Sequence, residues 1–369
     1  MKIRAAVLKE IGLPYPFAES KPMEVMEVDL AEPGDDEVLV RIEAASLCHS
    51  DLSVVNGSRS RPVPMVLGHE ASGTVVSVGD AVTKVKVGDH VCMTFQPHCG
   101  ECDLCEASDG QRCSTALEAN LNGTLLFGRN YLSANETPIH HHTGVSAFAE
   151  AAVVHESTVI PVAKDVPFEI AAVIACAVTT GGGAVKNAGK VKAGEKVAVV
   201  GGGGVGIAAL MVAKALGAAS VDVIDPSEGK HDLLKSLGAD AVYKPEDAPL
   251  EKYDLVVEAA GVGPAMESTL KLLVPGGRAV CVGLPAPEVE IKVNALDLVN
   301  KNKTLIGSYH GSGEAEKDIA EYVELWREGR LPLENLFSGS VPIEDINQAL
   351  DNMTEAQGLR QLIKIHNGE

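Results

Sequence analysis

The chain has few basic residues for its size: 31 lysines and arginines stand against 51 aspartates and glutamates, a formal net charge of −20 over 369 residues. Such an excess of negative charge argues against nucleic acid or an anionic membrane surface as a partner. The N-terminal stretch lacks the apolar centre of a secretory signal, and no uninterrupted apolar run approaches the length of a membrane span. Low-complexity tracts and repeats of fixed period are also missing. These absences favour a cytoplasmic globular protein, and its length allows two domains.

Disulfide bonds are not expected in a cytoplasmic protein, so the eight cysteines have to be explained as thiols or metal ligands. Cys99, Cys102, Cys105 and Cys113 follow the pattern C-x2-C-x2-C-x7-C in a loop-like stretch. Four thiols this close together match a closed tetrahedral zinc site, which would fasten a lobe that has little core of its own. A redox pair needs only two cysteines. An iron–sulfur cluster uses similar spacings and stays open as an alternative.

A glycine-rich turn in the second half of the chain follows a short β-branched strand and opens an Ala- and Leu-rich helix. Its glycines Gly201, Gly203 and Gly206 give the pattern G-x-G-x-x-G, which predicts a pyrophosphate site at the start of that helix. Asp225 ends the next predicted strand at the offset expected for a carboxylate that binds a ribose, which favours NAD over NADP. The alternative is a tight turn in an α/β protein that binds no nucleotide.

The two halves of the chain differ in their pattern of elements. Residues 1–47 alternate apolar and polar positions in short stretches, which is typical of a β-rich domain. Strand-like and helix-like stretches alternate from the glycine turn to about residue 308, which predicts a doubly wound parallel sheet. We therefore expect an α/β protein in which a dinucleotide-binding domain at 178–308 is inserted into a β-rich domain. That β-rich domain comprises residues 1–177 and 309–369, with the zinc lobe at 95–115.

Three further metal-ligand residue types lie far apart in the sequence: Cys48, His69 and Cys176. Two thiolates and one imidazole would bind zinc and leave a fourth position open, as in catalytic zinc sites. Each residue also has a simpler interpretation, since Cys176 could be a small core residue and His69 an interior histidine with satisfied hydrogen bonds.

The motifs around these residues resemble those of a known family. C-H-S-D at 48–51, G-H-E at 68–70, the four-cysteine lobe and G-G-G-G-V-G at 201–206 stand in the order found in medium-chain, zinc-dependent alcohol dehydrogenases. I-H-H-H-T-G-V-S-A-F at 139–148 is similar to the longer, liver-type branch. The resemblance covers nearly the whole chain. It implies a GroES-like catalytic domain, a Rossmann domain, two zinc ions per chain, NAD, a small-molecule alcohol substrate and a homodimer.

The same resemblance implies roles for individual residues. At the reaction centre, these are Cys48, His69 and Cys176 as zinc ligands, Asp51 as the partner of His69, Glu70 as a nearby carboxylate, Ser50 and Ser53 in proton release, and Phe95 and Arg59 in the substrate pocket. For the cofactor, they are His49 and Arg360 at the pyrophosphate, the turn residues Gly201, Gly203, Gly204, Val205 and Gly206, Asp225 and Lys230 at the ribose, Thr180 at the nicotinamide, and Val282 as a further cofactor-binding residue. An exposed histidine without a role is the alternative for His49.

Departures from the family pattern shape the expected function. Ser53 replaces the histidine that ends the proton relay in many members, and Leu117 replaces the arginine of the glutathione-dependent formaldehyde dehydrogenases. Ser50, in place of threonine, leaves room for bulkier substrates. We expect reversible NAD-linked oxidation of primary or secondary alcohols, bulky or aromatic ones included. The alternatives are a zinc-free reductase of the quinone reductase type and a non-catalytic NAD-binding protein.

Overall fold

The structure of the protein is a computed structural model that describes residues 1–108, 110–355 and 358–366. The chain forms two compact units. The first comprises Met1–Cys176 and Phe337–Glu369, and the second comprises Ala177–Leu336.

Strands dominate the first unit and form the central sheet of the second. In chain order they are β1 (Lys2–Leu8), β2 (Met23–Leu30), β3 (Glu37–Ser46), β4 (Met65–Val66), β5 (Glu70–Val78), β6 (His90–Met93), β7 (Leu132–Ala134), β8 (Thr137–His141), β9 (Ala151–His155), β10 (Val159–Val162), β11 (Lys196–Val200), β12 (Ser220–Ile224), β13 (Ala241–Tyr243), β14 (Tyr253–Glu258), β15 (Leu273–Cys281), β16 (Thr304–Gly307), β17 (Phe337–Pro342) and β18 (Arg360–Lys364).

The α-helices are mostly short. They are α1 (Phe17–Ser20), α2 (His49–Val55), α3 (Asp103–Ser108), α4 (Ser114–Asn122), α5 (Phe168–Val173), α6 (Thr179–Gly183), α7 (Gly204–Ala215), α8 (His231–Ser236), α9 (Gly263–Leu272), α10 (Ala295–Asn300), α11 (Ala315–Arg327) and α12 (Ile346–Thr354). Two π-helical segments, Ile174–Val178 and Ala184–Ala188, follow α5 and α6 without a break.

Two sheets build the first unit. Strands β1, β2, β7, β8 and β4 close into a barrel, and a second sheet has the order β10-β6-β5-β3-β18-β17 with β9 also paired to β3. Their inward-facing side chains share a core that includes the fully buried Ile42, Leu47 and Phe148. Two of the metal-ligand candidates lie close to the ends of strands in this unit. Cys48 comes two residues after β3, and His69 lies in the connection between β4 and β5.

The second unit contains one parallel sheet of six strands in the order β13-β12-β11-β14-β15-β16. Numbered within the unit, this order is 3-2-1-4-5-6, the arrangement of dinucleotide-binding Rossmann domains. The predicted doubly wound sheet is therefore confirmed. The glycine turn leaves the carboxyl end of the central strand β11 and leads into α7.

The second unit extends further than expected from the sequence, because residues 309–336 belong to it rather than to the β-rich unit. Helix α11 explains the difference. The Lys186 ammonium lies 3.0 Å from an Asp318 carboxylate oxygen on α11, and Asn187 donates to the other oxygen at 2.7 Å. Tyr322 of α11 is fully buried, with its ring against Gly182. Of the 309–369 range predicted for the β-rich domain, 356–357 and 367–369 lie outside the described residues.

The expectation that no apolar stretch reaches the length of a membrane span needs a correction. The continuous helical run Phe168–Ala188 has 21 residues with a mean hydropathy of 1.7, which would suffice by length and composition. However, 89% of this stretch is buried inside the protein, as in the core helix of a globular domain. Its apolar character is accounted for by protein packing.

Gly68 is the glycine that the metal region depends on most. Its φ is +91°, and a Cβ there would lie 2.7 Å from the Phe148 backbone nitrogen. We predict that Gly68→Ala displaces His69, so that the purified protein holds about one zinc per chain instead of two and unfolds at a lower temperature. Gly88→Ala is the matched control, since Gly88 has a φ of +86° but nothing within 4 Å of the added Cβ.

Both substitutions add the strain of a positive φ, roughly 1 kcal/mol, and only Gly68→Ala adds the steric conflict, worth about 1–3 kcal/mol. Zinc analysis and thermal unfolding of the two variants check this. Equal unfolding temperatures with full zinc in both variants would contradict it.

Candidate active site and metal centres

Cys48, His69 and Cys176 converge in the first unit although more than a hundred residues separate the last two. One donor atom from each lies within 4.8 Å of the other two. All three are buried, with exposures of 6%, 2% and 3%. Two sulfurs and one nitrogen at this spacing fit a zinc ion that keeps a fourth position open.

Different local structures present the three side chains. Cys48 is the residue after which α2 begins, and its carbonyl accepts the Asp51 N–H at 3.0 Å in the first turn of the helix. His69 follows the left-handed Gly68. Cys176 lies within the π-helical segment Ile174–Val178, and such interruptions of an α-helix frequently occur at functional sites.

The carboxylate of Asp51 joins two of these elements. One oxygen accepts the Cys48 backbone N–H at 3.1 Å. The other accepts the Gly68 N–H at 3.2 Å and lies 3.0 Å from His69 Nδ1. With Nδ1 held by the carboxylate, Nε2 of His69 is the nitrogen left for a metal, the arrangement that fixes the tautomer of a ligating histidine.

The electrostatics of the three ligands favour a bound cation. The hydrogen bond between the two thiols lowers the pKa of Cys48 and raises that of Cys176, because a proton kept by one thiol stabilises the thiolate of the other. Burial opposes a positive charge on His69, but Asp51 and the Cys48 thiolate together raise its pKa. A divalent cation would replace these protons, since zinc binds thiolates and neutral imidazole.

Glu70 and Arg360 form a buried ion pair beside Cys48. Glu70 Oε2 lies 3.0 Å from Arg360 Nη1, and both side chains are nearly or fully enclosed. Burial raises the pKa of Glu70 to about 7 even though Arg360 lowers it. Arg360 also donates to the Leu47 carbonyl at 3.2 Å, one residue before Cys48. The structure thus places Arg360 on Glu70, while its contact with a pyrophosphate stays a prediction.

The residues predicted for proton release and substrate binding are spread along the same unit. Ser53 donates its hydroxyl hydrogen to the His49 carbonyl at 2.9 Å, so its oxygen stays available as an acceptor. Ser50 lies in the first turn of α2. The Phe95 ring packs edge-on against His69, with 5.3 Å between the ring centres. Arg59 lies in the loop after α2.

The four-cysteine lobe is assembled as a second donor set. One sulfur from each of the four cysteines lies within 4.8 Å of the others. Cys113 Sγ is 3.6 Å from Cys99 Sγ and accepts the Ala116 N–H at 3.3 Å. Such N–H···S contacts stabilise thiolates, as a tetrahedral zinc site requires. Asp109, inside the predicted lobe 95–115, lies outside the described residues.

The glycine turn of the second unit has the form that a dinucleotide needs. Gly201 has a φ of +100°, and a Cβ at Gly206 would lie 1.9 Å from the Gly201 carbonyl oxygen. Around Gly203, by contrast, nothing lies within 4 Å of an added Cβ, which leaves open space at the start of α7, where Gly204 and Val205 follow. The turn can therefore admit a phosphate near the free N–H groups of the helix.

Asp225 is 7% exposed and holds this turn from the side. Its carboxylate accepts the Gly202 N–H at 2.8 Å and the Ser227 N–H at 2.9 Å. Sequence reasoning missed the contact with Gly202, because nothing in the spacing tells which amide the carboxylate meets. Both oxygens keep further lone pairs for a ribose.

Three more predicted cofactor residues lie in the second unit. Thr180 is in α6, and its buried hydroxyl has no hydrogen-bond partner in the described part of the chain. Val282 follows β15, and its N–H donates to the Glu258 carbonyl at 2.8 Å. Lys230 immediately precedes α8. Their contacts with a cofactor stay predictions.

Sequence reasoning missed His142. Its Nδ1 lies 3.5 Å from the Asp51 carboxylate, and its ring packs edge-on against His69 with 5.5 Å between ring centres. The run of three histidines at 140–142 was the available signal. However, a run of identical residues does not tell which ring faces a site, and β8 ends between His141 and His142.

Comparisons with known proteins agree with this geometry. The family model "Alcohol dehydrogenase GroES-like domain" matches residues 34–164, and "Zinc-binding dehydrogenase" matches residues 204–328. Alcohol dehydrogenase 1 of Pisum sativum is 33% identical over 99% of this chain and 97% of its own length. The S-(hydroxymethyl)glutathione dehydrogenase of Synechocystis sp. is 32% identical over 98% of this chain and all of its own.

The crystal structure of benzyl alcohol dehydrogenase from Acinetobacter calcoaceticus superposes with a TM-score of 0.91 at 31% identity, covering 99% of this chain and 100% of that one. The chain belongs to the medium-chain, zinc-dependent alcohol dehydrogenases. It is accordingly an oxidoreductase that acts on CH–OH groups with zinc and NAD. Membership in this family identifies the four-cysteine lobe as a zinc site rather than an iron–sulfur cluster.

We predict that elemental analysis of this alcohol dehydrogenase gives two zinc ions per chain. Cys176→Ala should reduce the count to one, since a single thiolate and an imidazole hold zinc far more weakly than the full set. Cys92→Ala is the control, because Cys92 is buried but belongs to neither donor set. Two zinc ions in the Cys176→Ala variant would contradict the assignment.

Proposed function

We propose that this protein catalyses reversible NAD-linked oxidation of primary and secondary alcohols to aldehydes and ketones. The observation that carries the proposal is the convergence of Cys48, His69 and Cys176, with the Asp51 carboxylate on the far side of the imidazole. When bound, zinc supplies Lewis acidity that lowers the pKa of an alcohol, and NAD accepts a hydride.

The chain's own residues would orient the substrate and carry away its proton. Ser50, two residues after Cys48, would accept the alcohol proton at its hydroxyl oxygen. In the same step Ser50 would release its own hydroxyl hydrogen, which the Ser53 oxygen can accept because the Ser53 hydroxyl hydrogen is donated to the His49 carbonyl. Ser53 would then release that hydrogen to water once its hydroxyl turns away from the carbonyl. Glu70 would be a carboxylate able to approach the metal while ligands exchange there. Its ion pair with Arg360 restrains it. Phe95, packed edge-on against His69, would form an apolar wall for the substrate.

The substrates would include bulky and aromatic alcohols. Ser50 is smaller than the threonine of related enzymes, which leaves space beside the metal. The similarity to a benzyl alcohol dehydrogenase over almost the whole chain supports this choice. The relatives named S-(hydroxymethyl)glutathione dehydrogenases are equally similar overall. Leu117 is 63% exposed and uncharged, however, so it offers a carboxylate no partner.

We also propose a cytoplasmic homodimer. The acidic composition and the eight free cysteines suit a reducing compartment. Strand β16 forms an edge of the second unit's sheet, and the neighbouring helix α10 exposes Leu296 and Val299 by 75% and 77%. An exposed apolar helix beside a free strand edge is a suitable surface for a second copy.

A panel of benzyl, primary and secondary alcohols with NAD⁺ tests the function by the formation of NADH. We expect turnover by the wild type, and none above background by Cys48→Ala. NADH binding to Cys48→Ala, followed by fluorescence, should match the wild type, because Cys48 belongs to the other compact unit. Turnover retained in Cys48→Ala would refute the role of the three ligands.

The preference for NAD depends on Asp225 in this proposal. Asp225→Ser should reduce the ratio of kcat/KM for NAD⁺ to that for NADP⁺ by at least tenfold, since a carboxylate accepts from a ribose hydroxyl and repels a 2′-phosphate. Serine keeps an acceptor for the Gly202 N–H, whose contact holds the turn. Asp240→Ser is the control, because Asp240 immediately precedes the neighbouring strand β13 and pairs with Lys214. An unchanged ratio in Asp225→Ser would count against NAD specificity.

A further inference from the structure

The sheet of the second unit has a buried carboxylate at the place where a dinucleotide is expected. Glu258 ends β14, and in the parallel sheet it lies opposite Val200 of β11 on one side and Cys281 of β15 on the other. Strands β11 and β14 flank the point at which the strand order reverses, and dinucleotides bind across such a point. The Glu258 side chain is fully buried there.

One oxygen of Glu258 fixes the turn that follows its own strand. Oε1 accepts the Ala260 N–H at 2.8 Å and the Gly261 N–H at 2.7 Å. Gly261 has a φ of +70°, a conformation that glycine adopts without strain. Two hydrogen bonds to a single carboxyl oxygen therefore hold the segment 259–261 close to the end of β14.

The glycine turn rests on this segment. The Ala259 N–H donates to the Val200 carbonyl at 2.8 Å, one residue before Gly201. A Cβ at Gly201 would lie 2.8 Å from the Ala260 backbone nitrogen, so the two backbones are in direct contact. Because closely packed segments cannot move independently, the position of the glycine turn depends on the conformation of residues 259–261.

Glu258 also joins the end of β15 to the same place. Its backbone carbonyl accepts the Val282 N–H at 2.8 Å and the Gly283 N–H at 3.1 Å. A Cβ at Gly283 would lie 2.2 Å from the Gly261 backbone nitrogen and 3.0 Å from Oε2 of Glu258. The ends of three neighbouring strands, β11, β14 and β15, thus meet around one side chain.

The second carboxyl oxygen of Glu258 contributes no hydrogen bond to the fold. Oε2 is enclosed and has no hydrogen-bond partner in the described part of the chain. Burial raises the pKa of Glu258, although the N–H groups of Gly261, Ala260 and Gly283 lower it. An enclosed oxygen without a partner reduces stability. A polar group kept at such a cost indicates a role besides packing.

We propose that Glu258 is a positioning residue for the cofactor: its carboxyl group fixes residues 259–261, and these hold the glycine turn in the form that admits the pyrophosphate of NAD. Asp225 holds the same turn from the strand on the other side of β11, through the Gly202 N–H. Glu258 acts only through the backbone that it holds. This inference concerns cofactor binding and does not depend on which alcohol is oxidised.

Binding of NADH to the Glu258 variants, followed by fluorescence titration, tests the proposal without turnover. Glu258→Ala removes the acceptor of two N–H groups, so we expect the dissociation constant of NADH to rise about tenfold. The dissociation constant of ADP, which carries the pyrophosphate without the nicotinamide, should rise by a similar factor. Glu258→Gln keeps a side-chain oxygen for the N–H groups of Ala260 and Gly261, and it should change both constants less than threefold.

Steady-state constants of the zinc-loaded enzyme with benzyl alcohol should divide in the same way. In Glu258→Ala we expect KM for NAD⁺ to rise about tenfold, while KM for benzyl alcohol at saturating NAD⁺ stays within threefold. Asp222→Ala is the matched control, because Asp222 is another buried carboxylate of this sheet and accepts from Lys252 and Tyr253 in the middle of β12. It should lower the unfolding temperature without changing the NADH dissociation constant.

An unchanged NADH dissociation constant in Glu258→Ala would overturn the proposal. An equal loss of affinity in Glu258→Ala and Asp222→Ala would also overturn it, since the effect would then be purely structural. If Glu258→Ala does not fold, Glu258→Asp takes its place, because it keeps the charge and withdraws the oxygen from the two N–H groups. Glu258→Asp should weaken NADH binding at least fivefold relative to Glu258→Gln, and equal affinities would refute the role.

The two proposals fail in different ways. If the wild type oxidises no alcohol but Glu258→Ala still weakens the binding of NADH and ADP, the proposed function is wrong and the positioning role stands. If the wild type oxidises alcohols and the NADH affinity of Glu258→Ala equals that of the wild type, the function stands and the positioning role is refuted.

Discussion

The metal region depends on one carboxylate. Asp51 accepts the backbone N–H groups of Cys48 and Gly68 and contacts Nδ1 of His69, so a single side chain fixes the positions of two ligands that come from different strands. Because Asp51 is fully buried, its oxygens depend on these donors as hydrogen-bond partners in place of water. A metal at Nε2 of His69 strengthens the same contact from the other side, since it increases the acidity of the Nδ1 hydrogen. Protein folding and metal binding therefore support each other at this point.

The architecture explains how ligands so distant in sequence can meet. Strands β3 and β4 end on the core of the first unit, and a π-helical segment directs Cys176 to the same place. In the second unit, the central strand β11 ends at the glycine turn, and the space around Gly203 in that turn is open. The metal-ligand candidates and the glycine turn thus lie at strand ends and at helix starts or interruptions. Backbone N–H groups and side chains at such places can face a ligand.

Much of this was predictable because the signals are local. The spacing of the four lobe cysteines and the glycine turn each lie within one short segment, so their geometry follows from the segment itself. The three ligands of the other site needed the resemblance to a family, since no spacing connects Cys48 to Cys176. Pairings between distant segments escaped the sequence for the same reason. Arg360 was assigned to a cofactor and lies on Glu70, and the role of His142 beside Asp51 was not foreseen.

The boundary of the second unit shows the same limit. The surface that α11 covers is set by the contacts of Asp318 and Tyr322 with the end of the long buried helix, and no pattern within α11 specifies that partner. Amphipathicity gives the face that is buried, and only the tertiary structure gives its partner.

The central claim is that three separated side chains share one metal ion with an open position. Anomalous diffraction at the zinc absorption edge from crystals of the protein tests it most directly. The account predicts two peaks per chain, one of them about 2.3 Å from the sulfurs of Cys48 and Cys176 and about 2.0–2.1 Å from Nε2 of His69. A single peak at the four-cysteine lobe, with Cys48, His69 and Cys176 empty in zinc-saturated crystals, would contradict it.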